Sequence, residues 1–230
     1  MMEYGHGGDI YRNRNVELDF SVNVNPLGMP NFVWEAAQRS IAFCTGYPDS
    51  SCENLRGRLS ELTGVPEDQM IGNGAAELIF RLVQEVRPKK AVIPAPSFAE
   101  YETALRSCGT EIAFFYLKEA ESFFLNISEF LDFLRAEQPE IIFLCTPANP
   151  TGAMIRQADL SKILDYCKKH GILLVLDACF VEFLDEERSC GCIREFLDWE
   201  TGRPEHGGNL FLLRAFTKTY AMAGLRLGYG

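Results

Sequence analysis

Residues 141–177 read IIFLCTPANPTGAMIRQADLSKILDYCKKHGILLVLD, and the fold is decided there. The runs 141–145 and 172–177 are short and continuously apolar, the pattern of strands buried on both faces. Between them, residues 158–170 set Leu160, Ile163, Leu164 and Cys167 on one helical stripe and turn Lys162, Asp165 and Lys168 away. Strand, helix, strand in that order forms a parallel pair joined by a crossover.

The same alternation extends on both sides. Runs at 91–93, 112–117 and 210–213 read as further strands, and 75–86, 98–107 and 127–135 as helices. The expected fold is α/β, a three-layer sandwich with a mostly parallel sheet between helices. The first sixty residues differ, with an irregular start, a turn at Asn25-Pro26-Leu27-Gly28 and helices near 32–43 and 53–62. They read as an arm and helical segment (1–60) packed on a main domain (61–230).

Composition narrows the function. Hydrophobic residues make up 47% and charged ones 23%, which is ordinary globular usage. With 32 acidic and 22 basic side chains the net charge is −10, against any sequence-independent grip on nucleic acid. Backbone N–H groups and single arginines can still bind a small anion. The start Met1-Met2-Glu3 has no leader pattern, and the longest apolar runs are too short to span a bilayer. Eight scattered cysteines, several within apolar runs, read as buried free thiols and point to a reducing, cytoplasmic location. Only Cys190 and Cys192 are close, without a second pair at zinc spacing, so no metal is expected. The acidic stretch 182–188 reads as a solvated face or loop.

Four segments fall where open α/β sheets place ligands, beyond the carboxyl ends of strands. Gly72-Asn73-Gly74-Ala75-Ala76-Glu77 leads into a helix, as an anion cradle or as a plain turn. Asn149 sits in the rigid loop Thr146-Pro147-Ala148-Asn149-Pro150-Thr151-Gly152, as a donor or as an Asn-Pro turn. Asp177 ends an apolar strand, where a carboxylate needs a cation or donors; a helix cap or structural hydrogen bond reads equally well. Lys218 follows a strand in Arg214-Ala215-Phe216-Thr217-Lys218, with Arg226 downstream after Gly224. It is either a solvated charge or an amine with a lowered pKa that can bond to an aldehyde.

Taken together, these segments resemble, in order and spacing, the signature of fold-type I pyridoxal phosphate enzymes, the aspartate aminotransferase superfamily. Within it the chain is similar to the threonine-phosphate decarboxylase group of cobalamin synthesis and to the histidinol-phosphate aminotransferase group. The resemblance implies that Lys218 holds the cofactor covalently and that Asp177 pairs with its ring nitrogen. It implies that Asn149 donates to the ring hydroxyl and that Phe98, in Pro94-Ala95-Pro96-Ser97-Phe98, stacks on the ring. Ala75 and Ala76 (backbone N–H), Thr217 and Arg226 would cradle the phosphate. Tyr47, in Gly46-Tyr47-Pro48-Asp49, would reach the cofactor phosphate of the other subunit of a homodimer.

His6-Gly7-Gly8-Asp9, the stretch 18–28 and Phe180 look more like the decarboxylases, and by resemblance His6 and Asn25 would lie near the substrate. Two departures stand out: Ala215, where many relatives carry a serine or threonine, and Ala178, where glutamate is common. The chain also stops at Gly230, so the small C-terminal domain of the family is expected to be absent. The implied function is a pyridoxal phosphate enzyme acting on a small phosphorylated amino acid, of threonine-phosphate decarboxylase type. The alternatives are an aminotransferase of the histidinol-phosphate type and a non-catalytic cofactor-binding fragment.

Overall fold

The computed structural model describes residues 7–9, 11–63, 67, 69–184 and 209–230. His6 and the Cys190/Cys192 pair lie outside these residues, as does most of the acidic stretch. Among the described residues the core is a seven-stranded sheet: β1 (Ile71–Gly72), β2 (Lys90–Ala95), β3 (Glu111–Tyr116), β4 (Ile141–Cys145), β5 (Leu173–Asp177), β6 (Leu210–Ala215) and β7 (Gly228–Tyr229). The spatial order is β1-β7-β6-β5-β4-β2-β3. The five strands from β2 to β6 run parallel, while β7 is antiparallel to both β6 and β1.

Helices cover both faces. On one side α3 (Ala75–Val86) and α4 (Ala99–Ser107) bury Leu78, Ile79, Val83, Tyr101 and Leu105 against Ile93, Ile141, Phe143, Val175 and Leu213. On the other, α5 (Ile127–Glu137) and α6 (Gln157–His170) bury Phe130, Leu134, Leu160, Ile163 and Cys167 against Val92, Ile142, Leu144, Leu174 and Leu212. Alternate residues of each central strand thus enter different cores, which is why these runs read as continuously apolar. Local signals set the ends of the helices. Asn126 caps α5 by accepting from the N–H groups of Ser128 and Glu129, and α6 closes with Lys168, Lys169 and His170 at its negative end.

The expected strands and helices are present within a few residues of where the apolar periodicity put them. The two-residue strands β1 and β7 carry too little pattern to be read. Within the first sixty residues, α1 (Asn31–Ser40) buries no residue and α2 (Glu53–Thr63) buries Leu59 alone. Phe20, Leu27, Phe43 and Tyr47 are likewise exposed. Glu182, read as solvated, instead pairs with the buried Arg214, whose guanidinium also lies 5.4 Å from the Tyr229 ring centroid.

Candidate active site

The chain leaves β2 for the edge strand β3 and returns to the other side of β2 as β4. That reversal opens a crevice at the carboxyl ends of β2 and β4, where the neighbouring loops diverge. A cavity of about 510 Å³ occupies this end of the sheet, within the range of small-molecule sites. Ala75, Ala76, Phe98, Asn149, Asp177, Thr217, Lys218 and Arg226 all line it. The structure therefore brings together residues that are up to 151 positions apart in the chain (226 − 75).

One corner of the cavity suits an anion. The helix α3 opens at Gly74, whose φ of 84° an L side chain rarely adopts, and no side chain caps its first N–H groups. Glu77 turns back to accept from the backbone and side-chain nitrogens of Asn73 at 2.5 and 2.6 Å, which leaves Ala75 and Ala76 at the cavity. Arg226 brings a guanidinium against Gly74, and Thr217 a buried hydroxyl-bearing side chain. Backbone donors at a positive helix end, a hydroxyl and one full positive charge match a phosphate group.

The opposite corner suits a flat polar ring. Asp177 closes β5 with its side chain buried. Its Oδ1 accepts from the Cys179 N–H at 3.0 Å and its Oδ2 from the Tyr101 hydroxyl at 2.5 Å. Burial pushes the Asp177 carboxyl above its ordinary range, opposed by these hydrogen bonds and by the charge of Lys218. Asn149 accepts from Asn23 Nδ2 at 3.3 Å, which leaves its amide nitrogen as the donating end. Phe98, one residue before α4, meets Tyr101 edge to face at 5.6 Å.

Lys218 sits on the turn after β6, between the two corners. Burial, with a further contribution from Arg226, lowers its pKa from 10.5, against the raising influence of Cys179 and Asp177. A larger share of neutral amine at Nζ follows, which is what a nucleophile or proton carrier requires. The turn is tight: the carbonyls of Phe216, Thr217 and Lys218 accept from Tyr220, Met222 and Ala221 at 3.2 Å each.

The N-terminal candidates divide. Asn25 does not line the cavity; it clamps the lysine turn, its N–H donating to the Lys218 carbonyl at 3.1 Å and its side chain to the Thr219 carbonyl at 2.8 Å. Tyr47 is fully exposed and does not line the cavity. Residues missed in the sequence are Asn23, which lines the cavity two positions before Asn25, and Tyr101. Tyr101 stands three residues after Phe98, so its place beside the site had a local signal, whereas the partner of its hydroxyl had none. Among the described residues no group of His, Cys, Asp and Glu is arranged to hold a metal ion. None of their helices is long and apolar enough to cross a membrane.

Comparison with known proteins places this cavity in context. The sequence model of the aminotransferase class I and II family matches residues 15–230. A threonine-phosphate decarboxylase of Salmonella typhimurium is 37% identical over 97% of the chain. A histidinol-phosphate aminotransferase of Methanosarcina barkeri is 32% identical over 90% of it. The chain spans 60% and 53% of the lengths of these two relatives. Among solved structures, a histidinol-phosphate aminotransferase from Clostridium acetobutylicum superposes with a TM-score of 0.76 at 28% identity, covering 91% of this chain and 59% of that one.

Proposed function

Since the chain belongs to the aminotransferase class I and II family, we propose that it forms the cofactor-binding part of a pyridoxal phosphate-dependent enzyme acting on a small phosphorylated amino acid. Threonine-phosphate decarboxylation is the favoured reaction, supported by the 37% identity to the Salmonella protein. The observation that carries the cofactor reading is the meeting, in one cavity, of Lys218, Asp177 and Asn149 with the α3–Arg226 anion corner.

The residues fit the group. Ala75, Ala76, Thr217 and Arg226 would hold its phosphate, Asp177 its ring nitrogen, Asn149 its ring hydroxyl and Phe98 its face, with Lys218 as the covalent anchor. When bound, pyridoxal phosphate supplies an electron sink for the bonds at the substrate's Cα. Asp177 contributes a carboxylate that keeps the ring nitrogen protonated. Lys218 Nζ would be the group that carries a proton to the substrate's Cα in decarboxylation, or removes one in transamination. Ala215 lines the cavity without a hydroxyl, so Thr217 and Arg226 carry the side-chain contribution to the anion corner.

A homodimer belongs to the same proposal. The exposure of Phe20, Leu27, Phe43 and Tyr47 supports an apolar surface covered by a second copy, with Tyr47 completing the partner's phosphate site. In this reading residues 1–60 form the arm and helical segment and 61–230 the cofactor domain, in a cytoplasmic enzyme without nucleic-acid or membrane partners.

Transamination is the second reading, favoured by the Methanosarcina relative and the Clostridium superposition. The test adds pyridoxal phosphate to the purified chain, then assays CO₂ release from threonine phosphate beside keto-acid-dependent amino transfer. Absorbance of the bound cofactor near the visible edge, lost in Lys218→Ala, is the expected result. Predominant amino transfer would replace the decarboxylase reading, and cofactor binding without turnover would identify a non-catalytic fragment.

A further inference from the structure

Tyr101 is wholly buried on α4, three residues past Phe98. Its ring stacks on Phe143 of β4, with centroids 4.9 Å apart and planes at 22°, and meets Phe98 edge to face. A phenylalanine would satisfy both ring contacts, so the buried hydroxyl calls for a separate reason. It reaches across the sheet to Asp177, 76 residues away in sequence, and donates to Oδ2 at 2.5 Å. That length falls within the range of an O–H···O⁻ bond, in which a neutral donor meets an ionised acceptor.

We propose that Tyr101 is a positioning residue, whose phenol holds the Asp177 carboxylate ionised and in fixed orientation at the cavity for the cofactor's ring nitrogen. The inference rests on the pyridoxal phosphate reading and deepens it. With Oδ2 taken by Tyr101 and Oδ1 by the Cys179 N–H, the carboxylate plane cannot rotate without breaking one bond. Burial and the negative charge of Asp177 push the phenol well above its ordinary pKa, so the shared proton stays on Tyr101. The other groups acting on this pair are Lys218, Cys145 and Cys179; burial raises both thiols, which keeps them neutral near pH 7. A neutral donor thus steadies the carboxylate without cancelling the charge that the ring nitrogen needs. Because the same tyrosine packs against Phe98, one side chain links the ring-face residue to the ring-nitrogen residue.

The experiment compares wild type with Tyr101→Phe in the full chain, using pyridoxal phosphate and its 1-deaza analogue, in which C–H replaces the ring nitrogen. The expected result is about tenfold weaker binding of pyridoxal phosphate, the size of one charge-assisted hydrogen bond, with binding of the deaza analogue unchanged. In the ligand-free chain, the Asp177 carboxyl followed by carbon NMR should titrate at higher pH in the variant. Equal weakening of both ligands would make Tyr101 a packing residue and overturn the proposal. So would an unaltered Asp177 titration, and 3-fluorotyrosine at position 101 provides a second, folded variant in which a more acidic phenol should shift that titration downward. If wild type binds neither ligand, the cofactor reading itself fails, a result separate from any difference between the variants.

Discussion

A Cβ placed on Gly74 would stand 2.6 Å from Nη2 of Arg226, so the glycine's missing side chain is the space that the guanidinium occupies. The arginine tip could swing away, but the φ of 84° would still strain any L residue. Gly74→Ala is therefore expected to cost about 1–2 kcal/mol of stability and to displace Arg226 from the anion corner. Binding of pyridoxal phosphate should weaken about tenfold or more, while unphosphorylated pyridoxal binds as before. Equal losses for both compounds in equilibrium titration would dissociate Arg226 from the phosphate.

Gly228 packs almost as closely, and against backbone. A Cβ there would meet the Gly74 carbonyl carbon at 2.7 Å and the Ala75 nitrogen at 2.8 Å. Neither can rotate aside, so β7 and the start of α3 would have to separate. Gly228→Ala should lower the unfolding free energy by about 2 kcal/mol in urea, with an unchanged denaturant slope. A variant as stable as wild type would show that this junction yields freely.

The buried carboxylate gives stability a definite pH dependence. Because the Asp177 carboxyl is raised above 3.8 in the folded chain, the native state binds more protons than the unfolded one between 3.8 and that raised value. Its contribution to stability therefore falls as pH rises through this window. Lys218, lowered from 10.5, acts in the opposite sense at alkaline pH: between its lowered value and 10.5 the unfolded chain holds the extra proton, and stability rises with pH. Asp177→Asn should flatten the acidic slope and Lys218→Met the alkaline one, read by thermal melts of the ligand-free chain across pH. Parallel profiles for wild type and both variants would contradict the assignment.

How much of this was legible beforehand follows from where the constraints lie. The strands β2 to β6 and helices α3 to α6 were readable because each buries a stripe or run long enough to show its period. The pairs Ile71–Gly72 and Gly228–Tyr229 were not, since a two-residue strand has no period and its pairing joins segments far apart in sequence. The cavity residues were legible as loop positions after strands, and their convergence follows from the switch between β2 and β4. Asn25 illustrates the limit. Its short-range turn was visible, but its grip on Lys218 spans 193 residues (218 − 25) and has no local trace. Tyr101 illustrates another, since a buried tyrosine in an amphipathic helix looks like any core aromatic until its hydroxyl partner is known.

Tyr47 is exposed and makes no contribution to the core of its own chain. Tyr47→Ala should change stability by no more than about 0.5 kcal/mol. If the tyrosine serves the phosphate of a second copy, the variant should lose pyridoxal phosphate affinity at chain concentrations where dimers form and match wild type where they do not. Sedimentation at the titration concentrations separates the two regimes. Identical affinities for variant and wild type throughout would remove Tyr47 from the site.

Asn25 ties its own turn to the one that carries Lys218. Its side chain donates to the Thr219 carbonyl and accepts from the Leu27 N–H at 3.0 Å, while its own N–H holds the Lys218 carbonyl. Asn25→Ala keeps the backbone bond and loses both side-chain bonds, a cost of about 1–2 kcal/mol. Asn25→Asp keeps the acceptor for Leu27 but loses the donor to Thr219 and places a negative charge near Lys218. That charge should raise the Lys218 pKa, so the pH at which pyridoxal phosphate reacts with the amine moves upward in the aspartate variant but not in the alanine one. Rapid-mixing absorbance across pH distinguishes the two. An equal shift in both variants would mean that the loosened turn, rather than the local charge, controls the lysine.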